Sequence, residues 1–274
     1  MDLISYGDSI PLGTFDLHSA FENALNFRGR SFVISLVNRK TGNGPFNVVL
    51  KQLPPGAKRL KTTRFYLYID ENRLACDPEK AYDSSLPKLE IVPGTLWENL
   101  AFLKNFLVRN APRKSLRFLF EPRAEKAFTR IFERNMLERV KKAVSLLEAG
   151  SYAKGARVLK GLGFGLTPSG DDFLSGYLTG LGFAELNLDS DVSEAIEEVY
   201  KNASTENLIS NTFLMCAYDG LVNEKIKKLL TMLALDEQNK LARAARAALR
   251  NGHTSGADFC VGLIYGCEAG LRAS

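Results

Sequence analysis

Pro93-Gly-Thr-Leu-Trp-Glu-Asn-Leu-Ala-Phe-Leu-Lys-Asn-Phe-Leu107 is where the chain changes its period. Within it Leu96, Leu100, Leu103 and Leu107 recur at three- and four-residue steps, which line one face of a helix, and Thr95 with Glu98 has the form of a capping box. Upstream, between Arg30 and Glu90, the apolar residues alternate instead: Phe32, Ile34, Leu36, then Phe46, Val48, Leu50, then Phe65, Leu67, Ile69. Period two is the signature of strands. Gly42-Asn-Gly-Pro45 between the first two runs suits a hairpin loop, and Pro54-Pro-Gly56 breaks the chain again.

Downstream, Phe128, Ile131, Leu137, Val140, Val144 and Leu147 predict a second helix stopped at Gly150. Asp191 to Ala203, Glu206 to Asp219, Asn223 to Leu235 and Asp236 to Arg250 carry helix-compatible patterns, with Gly220 and Gly252 as interruptions. In Ser255 to Gly270, Phe259, Leu263 and Cys267 form one stripe and Gly262, Gly266 and Gly270 another, a pattern that permits close helix packing. The expectation is an α+β chain: a β-rich domain at residues 1–93, then a larger, predominantly helical domain at 94–274, with the boundary near Pro93-Gly94.

With 274 residues and 45% hydrophobic residues, the chain can bury one large core or two modest ones. Its first apolar run is interrupted by Asp2, Ser5, Gly7 and Asp8, and no later run suits a signal peptide or a membrane span, so a cytoplasmic protein is expected. Cys76, Cys216, Cys260 and Cys267 show no CxxC pair and no histidine at zinc-ligand spacing; they read as reduced thiols. The formal charge of +5 has no long basic block behind it, which argues against nucleic acid and leaves room for a small anion.

The chemistry is concentrated in Gly161-Leu-Gly-Phe-Gly-Leu-Thr-Pro-Ser-Gly-Asp-Asp-Phe-Leu174, a glycine-punctuated loop running into an apolar helix. Glycines such as Gly165 and Gly170 let the backbone approach a ligand, the free amides of a helix start favour negative charge, and Thr167 and Ser169 add hydroxyls. Asp171 and Asp172 would repel a phosphate unless Mg²⁺ intervenes or one of them faces away; Asp172 is the one expected in the site. The plainer alternative is that Ser169 or Asp171 is an N-cap and the glycines serve packing. No lysine follows the last glycine, so this is not a Walker loop.

Gly252-His-Thr-Ser-Gly-Ala-Asp-Phe-Cys260 repeats much of that loop: Ser255-Gly256 matches Ser169-Gly170, Asp258-Phe259 matches Asp172-Phe173, and small residues recur in the helix after each. If the two helix starts converge, each offers amides, hydroxyls and one carboxylate to a single pocket. Asp172, Asp258 and His253 are then the catalytic candidates. Asn43, Gly165, Thr167, Ser169, Gly170, Asp171, Thr254, Ser255 and Gly256 are the substrate-binding candidates. Asn43 serves equally well as a turn residue, Arg157 and Lys160 as solvated basic residues, and Ser210 and Asn211 as surface groups.

Taken with Gly42-Asn-Gly-Pro45 upstream and Gly252-His-Thr-Ser-Gly-Ala-Asp258 downstream, the central loop resembles a bacterial and archaeal family that includes the AllH subunit of oxamate carbamoyltransferase. Members have also been labelled carboxylases. The resemblance implies a carbamoyltransferase subunit, converting oxalurate and phosphate to oxamate and carbamoyl phosphate in company with partner protein subunits. It brings no settled catalytic residues, so the site named above is read from this sequence alone. Two other classes stay open: a non-catalytic ligand-binding or assembly subunit, and a Mg²⁺-dependent hydrolase using Asp171 or Asp172 with Asp258.

Overall fold

The computed structural model describes residues 1–274, and its chain forms two compact units. Met1–Ser85 with Leu221–Glu224 makes the first, and Leu86–Gly220 with Lys225–Ser274 the second.

The first unit is a nine-stranded sheet built from β1 (Leu3–Gly7), β2 (Gly13–Phe21), β3 (Ala24–Arg28), β4 (Val33–Asn38), β5 (Asn47–Leu50), β6 (Arg59–Thr62), β7 (Tyr66–Ile69), β8 (Asn72–Ala75) and β9 (Ala81–Tyr82), in the order β8-β7-β6-β2-β3-β4-β5-β1-β9. Alternation is cleanest in β6 and β7, where Leu60, Thr62, Leu67 and Ile69 are buried and their neighbours face outward. Gly42 to Pro45 does not make a hairpin, because β4 and β5 run parallel, with Ser35 opposite Asn47 and Leu36 opposite Val48. The chain reverses twice between them, once where the Gly42 amide bonds to the Asn38 carbonyl and once where the Asn47 amide bonds to that of Gly44, so its direction is restored. The alternation began too late in the sequence to reveal β1, β2 and β3.

The second unit is helical: α1 (Pro93–Asn110), α2 (Ile131–Glu148), α3 (Tyr152–Leu159), α4 (Ser169–Leu188), α5 (Ser193–Ala203), α6 (Leu208–Tyr218), α7 (Glu224–Leu233), α8 (Gln238–Ala248) and α9 (Ser255–Ala273). Helix α1 buries Leu96, Leu100, Leu103 and Leu107 as its period requires. It starts at Pro93, however, with Val92 as the capping residue, and Thr95 and Glu98 lie inside it rather than forming a capping box. Proline fits the first helical position because its missing N–H would have had no partner there. Phe128 precedes α2 and Ile131 is exposed at its first position; the buried stripe runs from Met136 to Leu147. The four cysteines are free thiols, and no helix is long and apolar enough to cross a membrane.

Helices α4 and α9 form the centre of this unit. A Cβ on Gly176 would lie 2.0 Å from the Phe259 carbonyl oxygen, and one on Gly262 would lie 2.0 Å from that of Phe173. One turn further on, Gly180 meets the Leu263 carbonyl at 2.4 Å and Gly266 that of Tyr177 at 2.2 Å. The contacts are reciprocal and advance in step along both helices, so α4 and α9 pack in parallel with their N-termini at the same end. The Ser-Gly-x-Asp-Phe likeness therefore continues, at a constant offset along the chain, through Gly176 with Gly262 and Gly180 with Gly266.

Candidate functional site: two helix starts and a buried carboxyl pair

Parallel packing sets the starts of α4 and α9 side by side. Each is anchored in the same way: the Gly170 amide bonds to the Leu162 carbonyl and the Gly256 amide to the Asn251 carbonyl, both at 2.8 Å. Neither glycine could carry a side chain, since a Cβ on Gly170 would lie 2.0 Å from the Leu159 carbonyl oxygen and one on Gly256 2.2 Å from that of Ala248. Gly163, at φ +128°, turns the α4 loop back over Ser169, whose amide a Cβ there would meet at 2.6 Å.

The two starts are joined by hydroxyls. Thr167 Oγ1 donates to Asp172 Oδ2 at 3.1 Å and lies 3.0 Å from Ser255 Oγ of the other segment. Ser255 also helps to hold the Asp172 carboxylate. Asp258, fully buried, accepts the Leu116 amide on Oδ1 at 2.6 Å. Its Oδ2 has no well-formed partner, although the Ser169 and Thr254 hydroxyls stand near enough to favour the ionised form in part. Each aspartate is thus approached by the serine of the opposite helix start.

Burial acts against both charges. The Asp172 carboxyl is pushed up to about 8, first by burial and then by the neighbouring Asp258, against the pull of the Thr167 and Ser255 hydroxyls. Burial raises Asp258 to about 7 against the Leu116 amide and the two hydroxyls. Both carboxyls are therefore biased toward the neutral form, and the neighbouring Asp258 adds to that bias at Asp172.

Asp171 turns elsewhere. Its Oδ1 accepts the Gly161 amide at 2.6 Å, which ties the beginning of the loop to the helix it feeds, and burial raises its pKa. Neither Ser169 nor Asp171 is the cap, which is Pro168. Ser210, expected at the surface, is 1% exposed and stands beside Asp171, where it weakly favours the carboxylate without closing a full hydrogen bond. The reason is α6 packing against α4, which a single-helix reading cannot anticipate. Asn211 bonds to the Thr205 backbone, Arg157 to Asn202 and Lys160 to the Ser204 carbonyl.

Thr167, Ser169, Gly170, Asp172, Ser255, Gly256 and Asp258 are brought together, with Thr254 at the edge; Gly165 and His253 are exposed on their loops. Asn43 belongs to the other unit, where Ser5 donates to its carbonyl at 2.5 Å and its amide donates to Glu224 at 2.8 Å. No three His, Cys, Asp or Glu side chains gather as a metal-ligand set. Two contributors escaped the sequence: the Leu116 amide, which carries no side-chain signal, and Asn207, whose amide holds the Leu166 carbonyl at 2.6 Å. Asn207 also caps α6 by accepting from Ile209 and Ser210, and Asn before an apolar run is a readable cap.

The fold and these helix starts define an α+β protein with an internally repeated helix start around a buried carboxyl pair. Residues 159–267, which contain both segments, match the family model described as oxamate carbamoyltransferase subunit AllH, the family that the motifs resemble. Neither a curated protein nor a solved structure gave a match.

Proposed function

We propose that this chain is a subunit of an oxamate carbamoyltransferase-like enzyme, acting in the cytoplasm with partner protein subunits, and that the paired starts of α4 and α9 hold its small anionic substrate. The observation that carries the reading is the hydroxyl bridge from Asp172 through Thr167 to Ser255, which joins the two repeated segments inside the matched region.

From the glycine to the second aspartate position the amides of both helix starts are engaged by backbone carbonyls. The anion would therefore be favoured by the two helix dipoles and the clustered hydroxyls, and a protonated carboxyl donates to it where an ionised one repels it. In the reaction, a phosphate oxygen attacks the ureido carbonyl of oxalurate, a C–O bond forms, the C–N bond to oxamate breaks, and the proton of hydrogen phosphate ends on the departing nitrogen. Asp172 and Asp258, both raised by burial, are the groups that would exchange a proton in that transfer. Partner subunits supply what the chain lacks: Cys216, Cys260 and Cys267 are buried with thiols pushed well up, so none is a ready nucleophile. The same observation favours a second reading, a ligand-binding subunit whose chemistry lies on a partner.

The test is thermal unfolding of the wild type, Ser169→Ala and Asp172→Asn with phosphate, carbamoyl phosphate, oxamate and Mg²⁺. Stabilisation by the anions in the wild type, lost in both variants, is expected. No response to any anion, or an equal response in both variants, would remove the site from the reading. Stabilisation by Mg²⁺ alone, lost in Asp172→Asn, would turn it to a metal-dependent hydrolase. Robust turnover of oxalurate by the isolated chain would overturn the need for partners.

A further inference from the structure

A cavity away from the carboxyl pair lies between the C-terminal ends of α2 and α9, the start of α3 and the flank of α4. It has a volume of about 220 Å³, below the range of about 300–1,000 Å³ usual for drug-sized ligands, and so suits a small metabolite. Its inner wall is aromatic: Phe173 and Tyr177 stack at 6.1 Å with their planes 12° apart, and Tyr265 leans on Phe173 at 5.8 Å. Tyr177 is 3% exposed and lines the cavity together with Tyr152 and Tyr265.

The rim carries one charge of each sign. Arg272 and Glu148 are exposed and line the opening, and neither takes part in an ion pair. Burial and Glu148 keep the Tyr177 and Tyr265 phenols in the neutral, donating form.

We propose that this cavity binds a free aromatic α-amino acid, its carboxylate on Arg272, its ammonium on Glu148 and its ring against Tyr152, Tyr177 and Tyr265. An arginine fork matches a carboxylate, an aromatic wall matches a ring, and the opposed rim charges match a zwitterion better than either single ion. The site is separate from the anion site, and its occupancy is independent of the reaction proposed above.

The test is calorimetric titration of the full chain with L-phenylalanine, L-leucine, phenylacetate and phenethylamine, repeated on Arg272→Ala, Glu148→Gln and Asp172→Asn. L-Phenylalanine is expected to bind at least ten-fold more tightly than the three others. Arg272→Ala and Glu148→Gln should each weaken it ten-fold or more without changing the melting temperature of the free protein, since both side chains are exposed. Asp172→Asn should leave it unchanged, which keeps this site distinct from the anion site. Absence of L-phenylalanine binding at millimolar concentration, unweakened binding in Arg272→Ala, or phenylacetate binding as tightly as the amino acid would each overturn the proposal.

Discussion

The start of α4 is reached through the connection from Lys160 to Pro168, whereas that of α9 is reached through the shorter one from Leu249 to Thr254. The longer approach brings its own fixings: Asp171 holds the Gly161 amide and Asn207 holds the Leu166 carbonyl. Where α4 has Asp171, α9 has Ala257, and no equivalent tie is needed for so short a turn. The two carboxyls differ in the same sense. Asp172 is met only by hydroxyls, Thr167 and Ser255, while Asp258 has, besides the Ser169 and Thr254 hydroxyls, a backbone amide from a distant part of the chain, Leu116. The shared glycines serve the packing equally on both helices, since each lets the partner's backbone approach.

Equivalence of the helices is broken most severely at those glycines. Gly176→Val and Gly262→Val should each abolish folding of the helical unit, because either side chain would meet a backbone carbonyl that cannot move; a loss above about 4 kcal/mol is expected. Circular dichroism and thermal melting check this. Gly182→Ala, whose Cβ would lie 3.4 Å from a Leu86 methyl group, should by contrast melt near the wild type. A folded, stable Gly262→Val beside an unfolded Gly176→Val would show that the two helices are not interchangeable in the interface.

The clamp on Asp258 is the next largest effect. Asp258→Ala should lower hydrogen-exchange protection of the Leu116 amide by about ten- to a hundred-fold, matching the 1–3 kcal/mol cost of an orphaned buried donor. Asp258→Asn should preserve it by accepting through its carbonyl, and Asp172→Ala should leave it unchanged. Loss of protection in Asp172→Ala as well would mean that the carboxyl pair, rather than Asp258 alone, holds this segment.

Protonation separates the two sides further. Asp172 is raised in the folded protein, so between its unfolded value and about 8 the native state binds more protons than the unfolded one, and stability falls as pH rises across that window. Asp172→Asn removes this contribution. The variant should melt several degrees above the wild type at pH 8.5, with a flatter dependence between pH 5 and 8.5, in scanning calorimetry. A variant whose melting temperature tracks the wild type at every pH would mean that Asp172 is ionised in the native state throughout.

Much of this was legible in the sequence, but unevenly. Period-three and period-four spacing gave α1, and the doubled Ser-Gly-x-Asp segment pointed to two related helix starts before their meeting was visible. The parallel pairing of β4 with β5 was not legible, because a glycine-proline turn specifies local reversal and says nothing about a second reversal a few residues earlier. Nor was the Leu116 amide, since a backbone donor has no residue signature. Ser210 was misread because burial there comes from α6 against α4, a tertiary fact absent from the periodicity of α6 itself. Sequence thus marked the chemistry that resides in side-chain identity and missed what depends on which backbones happen to face it.

The smallest expected effect tests the positions just ahead of the two helices. Thr167 and His253 occupy equivalent places in the repeat, two residues before the serine, yet Thr167 is buried and bridges the segments while His253 is exposed. Thr167→Val should cost about 1 kcal/mol, because Asp172 and Ser255 each lose a partner in a buried setting, and should raise the Asp172 carboxyl further. His253→Ala should change stability by less than about 0.5 kcal/mol, as exposed substitutions ordinarily do. Anion binding then assigns the role of His253. A variant of unchanged stability that no longer responds to carbamoyl phosphate would make His253 a ligand-contacting group on the α9 side, whereas an unchanged response would leave recognition to the Thr167, Ser255 and Asp172 cluster.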